Sequence, residues 1–143
     1  MLQQHLQTNV QGPIRVIEAM LPLLTDKGRI VNVSSGYGQL HHLPQRYQDI
    51  IASTTDLYSL PTLPFYQDAF TKADNVPGYK VSKAALNRAT QLYAQDPQLA
   101  ERGINITACC PGWVRVGLFV CRHPCCCACC VRNCCLRALY TTS

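Results

Sequence analysis

A tyrosine and a lysine one helical turn apart are the first candidates for chemistry in this sequence. Tyr79 and Lys83 stand four positions apart in the run Y-K-V-S-K, so on a helix they lie on the same face. A tyrosine phenol ordinarily has a pKa of about 10, and a fixed positive charge nearby favours the phenolate. The pair could therefore exchange a proton with a substrate oxygen, although a solvent-exposed helix can show the same spacing without any function.

Two further residues could assist such a proton exchange. Ser35 follows residues 29–33, a β-branched run that is typical of a buried parallel strand. Open α/β sheets bind ligands at the carboxyl ends of their strands, so the serine could orient a substrate oxygen, or it could simply end the strand in a turn. Asn9 precedes Pro13 by four positions, and proline has no N–H to donate to the Asn9 carbonyl in a helix. That carbonyl could hold an ordered water; the alternative is a plain proline kink.

The elements that must position these residues alternate between helix and strand. Apolar residues at intervals of three and four predict helices over residues 2–24 and 79–94. Short β-branched runs predict strands over residues 29–33 and 104–110. An Asp-Pro start predicts a short surface helix over residues 96–102. This order indicates an α/β fold with parallel strands joined by right-handed crossovers.

Residues 39–78 form the longest connection between these elements. They contain four prolines and no strong period, and a connection of this length predicts a partly helical excursion with a role at a site. Two strands alone cannot cover the edges of a parallel sheet. We therefore expect the chain to be the middle part of a larger α/β domain.

Composition restricts the functional class. The chain has 143 residues, of which 48% are hydrophobic, and this excludes a disordered protein. It contains no apolar run of about 18 residues and its first residues do not resemble a signal peptide, so we expect a cytoplasmic protein without a membrane partner. The net charge of +5 includes three arginines and no acid from residues 118–143, so the rest is near neutral and predicts no nucleic-acid partner.

The cysteines are concentrated near the carboxyl end. Eight of the 10 cysteines lie within residues 121–135. Such a cluster could bind zinc or copper(I) through thiolates, or it could carry lipids or disulfides. Its dense spacing is not that of a specific zinc site, so we predict no metal site. We interpret residues 117–143 as an accidental tail outside the fold.

Four motifs, in this order, resemble those of the classical short-chain dehydrogenases/reductases. They are N-V-Q-G at residues 9–12, G-R-I-V-N-V-S-S at 28–35, Y-K-V-S-K at 79–83 and P-G-W-V at 111–114. The long separation between Ser35 and Tyr79 resembles the carbonyl-reductase-like branch, whose monomeric members carry an inserted segment before the tyrosine. The resemblance implies an incomplete Rossmann-like, doubly wound parallel sheet within residues 1–116, with residues 39–78 as the inserted segment.

The resemblance also implies a reaction, the NAD(P)H-dependent reduction of a small ketone or aldehyde or the reverse alcohol oxidation. Tyr79 would protonate the carbonyl oxygen and Ser35 would position it. Asn9 would hold a water of the proton relay, and Lys83 would tune the phenol and bind the nicotinamide ribose. The cofactor-binding residues implied are Tyr79, Lys83, Pro111, Gly112 and Val114. The implied cofactor is NADP, with NAD as an alternative, and the completed domain would be a monomer.

The sequence departs from the family at both ends. It contains no G-x-x-x-G-x-G, the turn that holds the cofactor pyrophosphate at a helix N-terminus. Val116 stands where the family usually has threonine. We therefore expect a fragment that lacks the glycine-rich half. The alternative is an inactive fragment, or a thiol-rich metal-binding protein derived from a reductase.

Overall fold

The first helical segment runs without interruption over the beginning of the chain. The computed structural model describes residues 2–64, 66, 70 and 74–112. The segment begins with α1 (Leu2–Leu6), widens into a π-helical turn (Gln7–Gln11), and continues as α2 (Gly12–Met20) and a 3₁₀ turn (Leu21–Leu23). The predicted helix is present, but apolar spacing did not reveal its wider turn. Pro13 lies in the first turn of α2, where a missing N–H costs little.

Two parallel strands form the sheet. β1 (Arg29–Val33) pairs with β2 (Asn105–Cys109), with Ile30 opposite Ile106 and Val33 opposite Cys109. The connection between them includes α4 (Pro77–Ala94) and the short α5 (Pro97–Glu101), whose Asp96 side chain accepts from the Gln98 N–H. The predicted partial Rossmann-like α/β fold is confirmed.

The segment between β1 and α4 is partly helical, as its length predicted. Its elements are two 3₁₀ turns (Gly36–Gly38 and Leu40–His42), the helix α3 (Gln45–Ser53) and a longer 3₁₀ segment (Leu57–Thr62). Tyr47, Ile51 and Leu60 from this segment are fully buried in the hydrophobic core, together with residues of α1, α2 and α4. The segment is therefore packed against the helices rather than looped out from them.

The core lies on one face of the sheet. Ile106 and Ala108 of β2 are buried, and α4 packs against β2. On the opposite face Val31 and Val33 of β1 are 53% and 58% exposed. Among the described helices, none is long and apolar enough to cross a bilayer.

Candidate active site

Three polar side chains on one face of α4 form hydrogen bonds with residues 32–34, at the end of β1 and just beyond it. These side chains are spaced at helical intervals, so they lie in a row along the helix. The bonds are Lys83 Nζ to the Val33 carbonyl at 2.8 Å, Ser34 Oγ to Asn87 Oδ1 at 2.5 Å and Asn32 Nδ2 to Thr90 Oγ1 at 2.9 Å. Together these hydrogen bonds tie the α4 turn that carries Tyr79 and Lys83 to the carboxyl end of β1.

A glycine brings the loop after Ser35 onto the same helix. A Cβ placed on Gly38 would lie 2.8 Å from the Lys83 carbonyl carbon and 2.9 Å from its oxygen. Asn87 Nδ2 donates to the Gly38 carbonyl at 3.0 Å. The backbones approach too closely for any other residue, so the path of the loop is fixed by direct packing on α4.

A cavity opens where the two strands end. Its volume is about 640 Å³, and Ser35, Tyr79, Cys110 and Gly112 are among the residues that line it. Gly112 has a φ of 73°, a left-handed conformation that favours glycine. At Gly112 the turn after β2 therefore presents backbone, without a side chain, to the cavity.

The serine and the lysine each have a defined environment beside Tyr79. Ser35 Oγ accepts a hydrogen bond from the Tyr37 N–H at 3.2 Å, so its own O–H can donate to an oxygen in the cavity. Lys83 Nζ lies 5.7 Å from the centre of the Tyr79 ring. Burial lowers the pKa of Lys83, and its interaction with Cys110 acts in the opposite direction.

Asn9 reaches the tyrosine through a serine of the same motif. Asn9 Nδ2 donates to Ser82 Oγ at 3.0 Å, and Ser82 Oγ donates to the Tyr79 carbonyl at 2.9 Å. Asn9 itself lies in the π-helical turn, a feature that is frequent at functional sites. The fully buried Ser82 thus joins the first helical segment to the turn that carries Tyr79.

Sequence reasoning missed several residues of this site. His5 lines the cavity, and its ring packs edge-on against Tyr79 with 6.2 Å between the ring centres. A Cβ on Gly78 would lie 2.9 Å from His5 Cδ2, so that glycine allows the contact. His42 also lines the cavity. Nothing in the sequence indicates that either histidine lies at the site. Ser82 lies inside the Y-K-V-S-K motif, so its place at the site could have been predicted.

The structure brings most of the predicted site residues together. Ser35, Tyr79 and Gly112 line the cavity, Lys83 lies beside Tyr79, and Pro111 lies two residues after the end of β2. Val114, Val116 and the cysteine-rich residues 117–143 lie outside the described residues. Across residues 2–64 and 74–112, no three histidine, cysteine or acidic side chains come together as metal ligands.

Comparison with known proteins shows what this chain is similar to. It is 31% identical over 126 residues to a carbonyl reductase [NADPH] 1 of Sus scrofa, covering 79% of this chain and 43% of that protein. It is 30% identical to (+)-neomenthol dehydrogenase of Arabidopsis thaliana, covering 81% of this chain and 43% of the relative, and 32% identical to short-chain dehydrogenase/reductase 1 of Saponaria officinalis, covering 81% and 42%. No family model matches the chain.

These relatives agree with the four motifs and with the parallel sheet. The chain spans less than half the length of the curated relatives it matches. Over about four fifths of its own length, its relatives are carbonyl reductases and other short-chain dehydrogenases, which supports its membership of the short-chain dehydrogenase/reductase family.

Proposed function

We propose that this chain supplies the proton-donating part of an NADPH-dependent oxidoreductase that reduces a small ketone or aldehyde to an alcohol. The observation that carries the proposal is the shared cavity of Ser35 and Tyr79, with the Lys83 ammonium 5.7 Å from the tyrosine ring centre. The names of the relatives, carbonyl reductase [NADPH] and neomenthol dehydrogenase, support the reaction class. Alcohol oxidation would use the same groups in reverse.

Tyr79 and Ser35 act on the same substrate oxygen in this proposal. The Tyr79 hydroxyl gives its proton to the carbonyl oxygen as negative charge develops there. The Ser35 hydroxyl, oriented by the Tyr37 N–H, donates a hydrogen bond to that oxygen and stabilises the charge. Lys83 keeps a positive charge beside the phenol, which makes the proton easier to give up.

Asn9 belongs to the path that returns the proton. Its carbonyl cannot receive a hydrogen bond from Pro13, because proline has no N–H. In the proposal this carbonyl holds an ordered water. The Asn9 side chain is bonded to Ser82, whose hydroxyl is bonded to the Tyr79 carbonyl. The water would link Lys83 to solvent, so that Tyr79 regains its proton after each turnover.

The residues present fit the nicotinamide end of NADP. The cavity volume of about 640 Å³ is in the usual range of ligand pockets. Lys83 offers an ammonium to ribose hydroxyls, and Gly112 lines the same cavity as Tyr79. Pro111 and Val114 are proposed as further contacts. When bound, NADPH supplies the hydride to the carbonyl carbon. The sequence has no glycine-rich turn, so the proposal assigns the pyrophosphate to residues outside this sequence.

The completed enzyme is proposed to be a monomer. In oligomeric members of the family the two long helices pack across a subunit interface, as the resemblance implies. Here the segment between β1 and α4 lies against α4, where Arg88 Nε donates to the Thr54 carbonyl at 2.9 Å. This contact within the chain supports the proposed monomer, and sedimentation of the completed enzyme should show a single monomeric species.

A fusion enzyme tests the proposed reaction. It would carry the amino-terminal half of the Sus scrofa carbonyl reductase before Met1 and that protein's carboxyl end after Arg115. We expect NADPH binding and NADPH-dependent reduction of simple aldehydes and ketones. Tyr79→Phe should keep NADPH binding and lower kcat by about 10²–10⁴-fold, the usual contribution of a positioned acid.

Tyr37→Phe is the matched control, because Tyr37 lines the same cavity but only its backbone N–H contacts Ser35. It should retain most of the activity. A fusion enzyme that binds NADPH but reduces no carbonyl compound, or one in which the two tyrosine variants lose activity equally, would refute the proposed reaction.

A further inference from the structure

The residue immediately before α4 has an unfavourable backbone conformation. Val76 has a φ of 49° and a ψ of 50°, which lie in the left-handed region. For a β-branched residue such a φ is a genuine outlier. A following proline favours extended backbone at the residue before it, and Val76 departs from that preference as well. Backbone strain of this kind clusters at active sites and ligand clamps, so Val76 is a candidate for a functional role.

Contacts on both sides of Val76 hold the chain in this conformation. The Val76 carbonyl accepts a hydrogen bond from the Lys80 N–H at 3.1 Å. Lys80 Nζ lies 3.5 Å from Asp74 Oδ1, so an ion pair joins the residues before and after Val76. Gly78 packs so closely on α1 that a Cβ placed on it would lie 3.3 Å from the Leu2 Cα. The path of the chain into α4 is therefore set by its surroundings, and the strain falls on Val76.

The side chain of Val76 lies in the wall of the cavity that contains Ser35 and Tyr79. It is 53% exposed, and it is the one aliphatic side chain among the described residues that line this cavity. The other lining residues are glycine, serine, glutamine, cysteine, histidine and tyrosine. An alkyl group inside the cavity therefore finds its aliphatic contact at Val76.

We propose that Val76 determines which carbonyl compounds the cavity accepts, by limiting the size of the alkyl group bonded to the carbonyl carbon. Val76 precedes Tyr79, the proposed proton donor, by three positions, and both line the same cavity. When Ser35 and Tyr79 hold the carbonyl oxygen, the substituents of the carbonyl carbon lie in that cavity too. A compact alkyl group fits there, whereas a tertiary alkyl group meets the valine side chain.

This assignment rests on the proposed function and adds a substrate class to it, the compact aliphatic aldehydes and ketones. A residue that only begins a helix would need no branched side chain. Glycine and asparagine adopt left-handed backbone more readily than valine does, so either could begin α4 with less strain. Valine is therefore a poor choice for that role alone, and its place in the cavity wall supplies a second role.

Urea denaturation of the 143-residue chain tests the strain. Val76→Gly and Val76→Asn should each raise the urea concentration at the midpoint of unfolding, because both residues accept a positive φ. Lys27→Gly is the matched control, since Lys27 has a φ of 63° and is not among the residues that line the cavity. It should also raise the midpoint, but by less, because lysine is not β-branched. A midpoint lowered by both Val76 variants would overturn the assignment of strain and the proposal with it.

The fusion enzyme described above tests the substrate class. The measurement is the ratio of kcat/KM for pivaldehyde, whose carbonyl carbon carries a tertiary alkyl group, to kcat/KM for propanal. Val76→Gly should raise this ratio about tenfold or more, because it removes the side chain that excludes the larger group. Val76→Asn keeps a side chain of similar length and should leave the ratio close to that of the unaltered enzyme, as should Lys27→Gly. An equal rise in all three variants would overturn the proposal, because the ratio would then follow strain and not side-chain size.

Failure of this proposal differs from failure of the proposed function. A fusion enzyme that reduces neither aldehyde, with or without the substitutions, refutes the proposed function, and the role of Val76 falls with it. A fusion enzyme that reduces propanal but shows the same ratio before and after Val76→Gly refutes the role of Val76 alone.

Discussion

The two faces of the β1–β2 sheet are built from different kinds of contact. On one face, Ile106 and Ala108 are buried and the polar row of α4 bonds the strand. On the other, Val31 and Val33 are more than half exposed. Contacts on the covered face help to hold Ser35 and Tyr79 at their cavity, so the proposed proton-donating geometry draws on contacts among the described residues. The difference teaches that the arrangement of Ser35 and Tyr79 depends on the covered face. In the proposal, the binding of the whole cofactor depends on residues outside this sequence.

The largest expected effect concerns the lysine at the covered face. In the fusion enzyme, Lys83→Met removes both the charge beside Tyr79 and the proposed ribose contact. We expect kcat/KM to fall by about 10²–10⁴-fold, together with weaker NADPH binding, measured by steady-state kinetics and fluorescence titration.

Lys80→Met is the matched control for this prediction. Lys80 lies about 100° around the helix from Tyr79 and pairs with Asp74 at 3.5 Å. Its loss should change activity little. If Lys80 proved essential and Lys83 dispensable, the assigned helix face would be wrong.

The second prediction compares the faces directly in the 143-residue chain. Ile106→Ala should lower the free energy of unfolding by about 2–4 kcal/mol, because Ile106 is 4% exposed and the substitution leaves a cavity. Val31→Ala, at a residue 53% exposed, should cost less than about 1 kcal/mol. Urea denaturation followed by circular dichroism at low protein concentration measures both, and equal losses would contradict the comparison.

The smallest expected effect comes from a buried hydroxyl group on α4 that has no hydrogen-bond partner among the described residues. Tyr93 is 8% exposed, and its hydroxyl has no hydrogen-bond partner among the described residues. Tyr93→Phe removes an unsatisfied polar group and should raise the free energy of unfolding by about 1 kcal/mol. Tyr37→Phe, at a ring 42% exposed, should leave it unchanged.

The pH dependence of the free energy of unfolding is a second test of the burial of the Tyr93 hydroxyl. Burial raises the pKa of Tyr93, so the folded state keeps the phenol protonated above the pH at which the unfolded chain loses that proton. Titration of Tyr93 therefore leaves the free energy of unfolding unchanged below about pH 10 and lowers it as the pH rises further. Tyr93→Phe should reduce that alkaline fall, and an unchanged slope would contradict the assignment.

The sequence predicted the elements better than the contacts between them. Hydrophobic spacing located β1 at residues 29–33 and the main helix within two residues, because Pro77 occupies the first turn of α4 and does not precede it. Tyr79, Lys83 and Ser35 could be recognised from motifs. The hydrogen bonds of Asn87 to Ser34 and of Thr90 to Asn32 could not, since the partners lie 53 and 58 positions away and their meeting depends on how the helix packs on the sheet.

The π-helical turn at Gln7–Gln11 was also invisible in the sequence, since its apolar residues keep their three–four spacing. Asn9 lies in this turn and donates a hydrogen bond to the buried Ser82 of α4. The two histidines of the cavity were missed for a similar reason, because only the folded chain brings His5 to Tyr79.

The polar row on α4 has a mechanical consequence. Lys83, Asn87 and Thr90 form hydrogen bonds with Val33, Ser34 and Asn32, three neighbouring residues at the end of β1 and just beyond it. Sliding the helix by one turn, about 5.4 Å, would disengage all three bonds together. The three hydrogen bonds therefore resist any sliding of the helix along the strand, and so any change in the spacing between Ser35 and Tyr79.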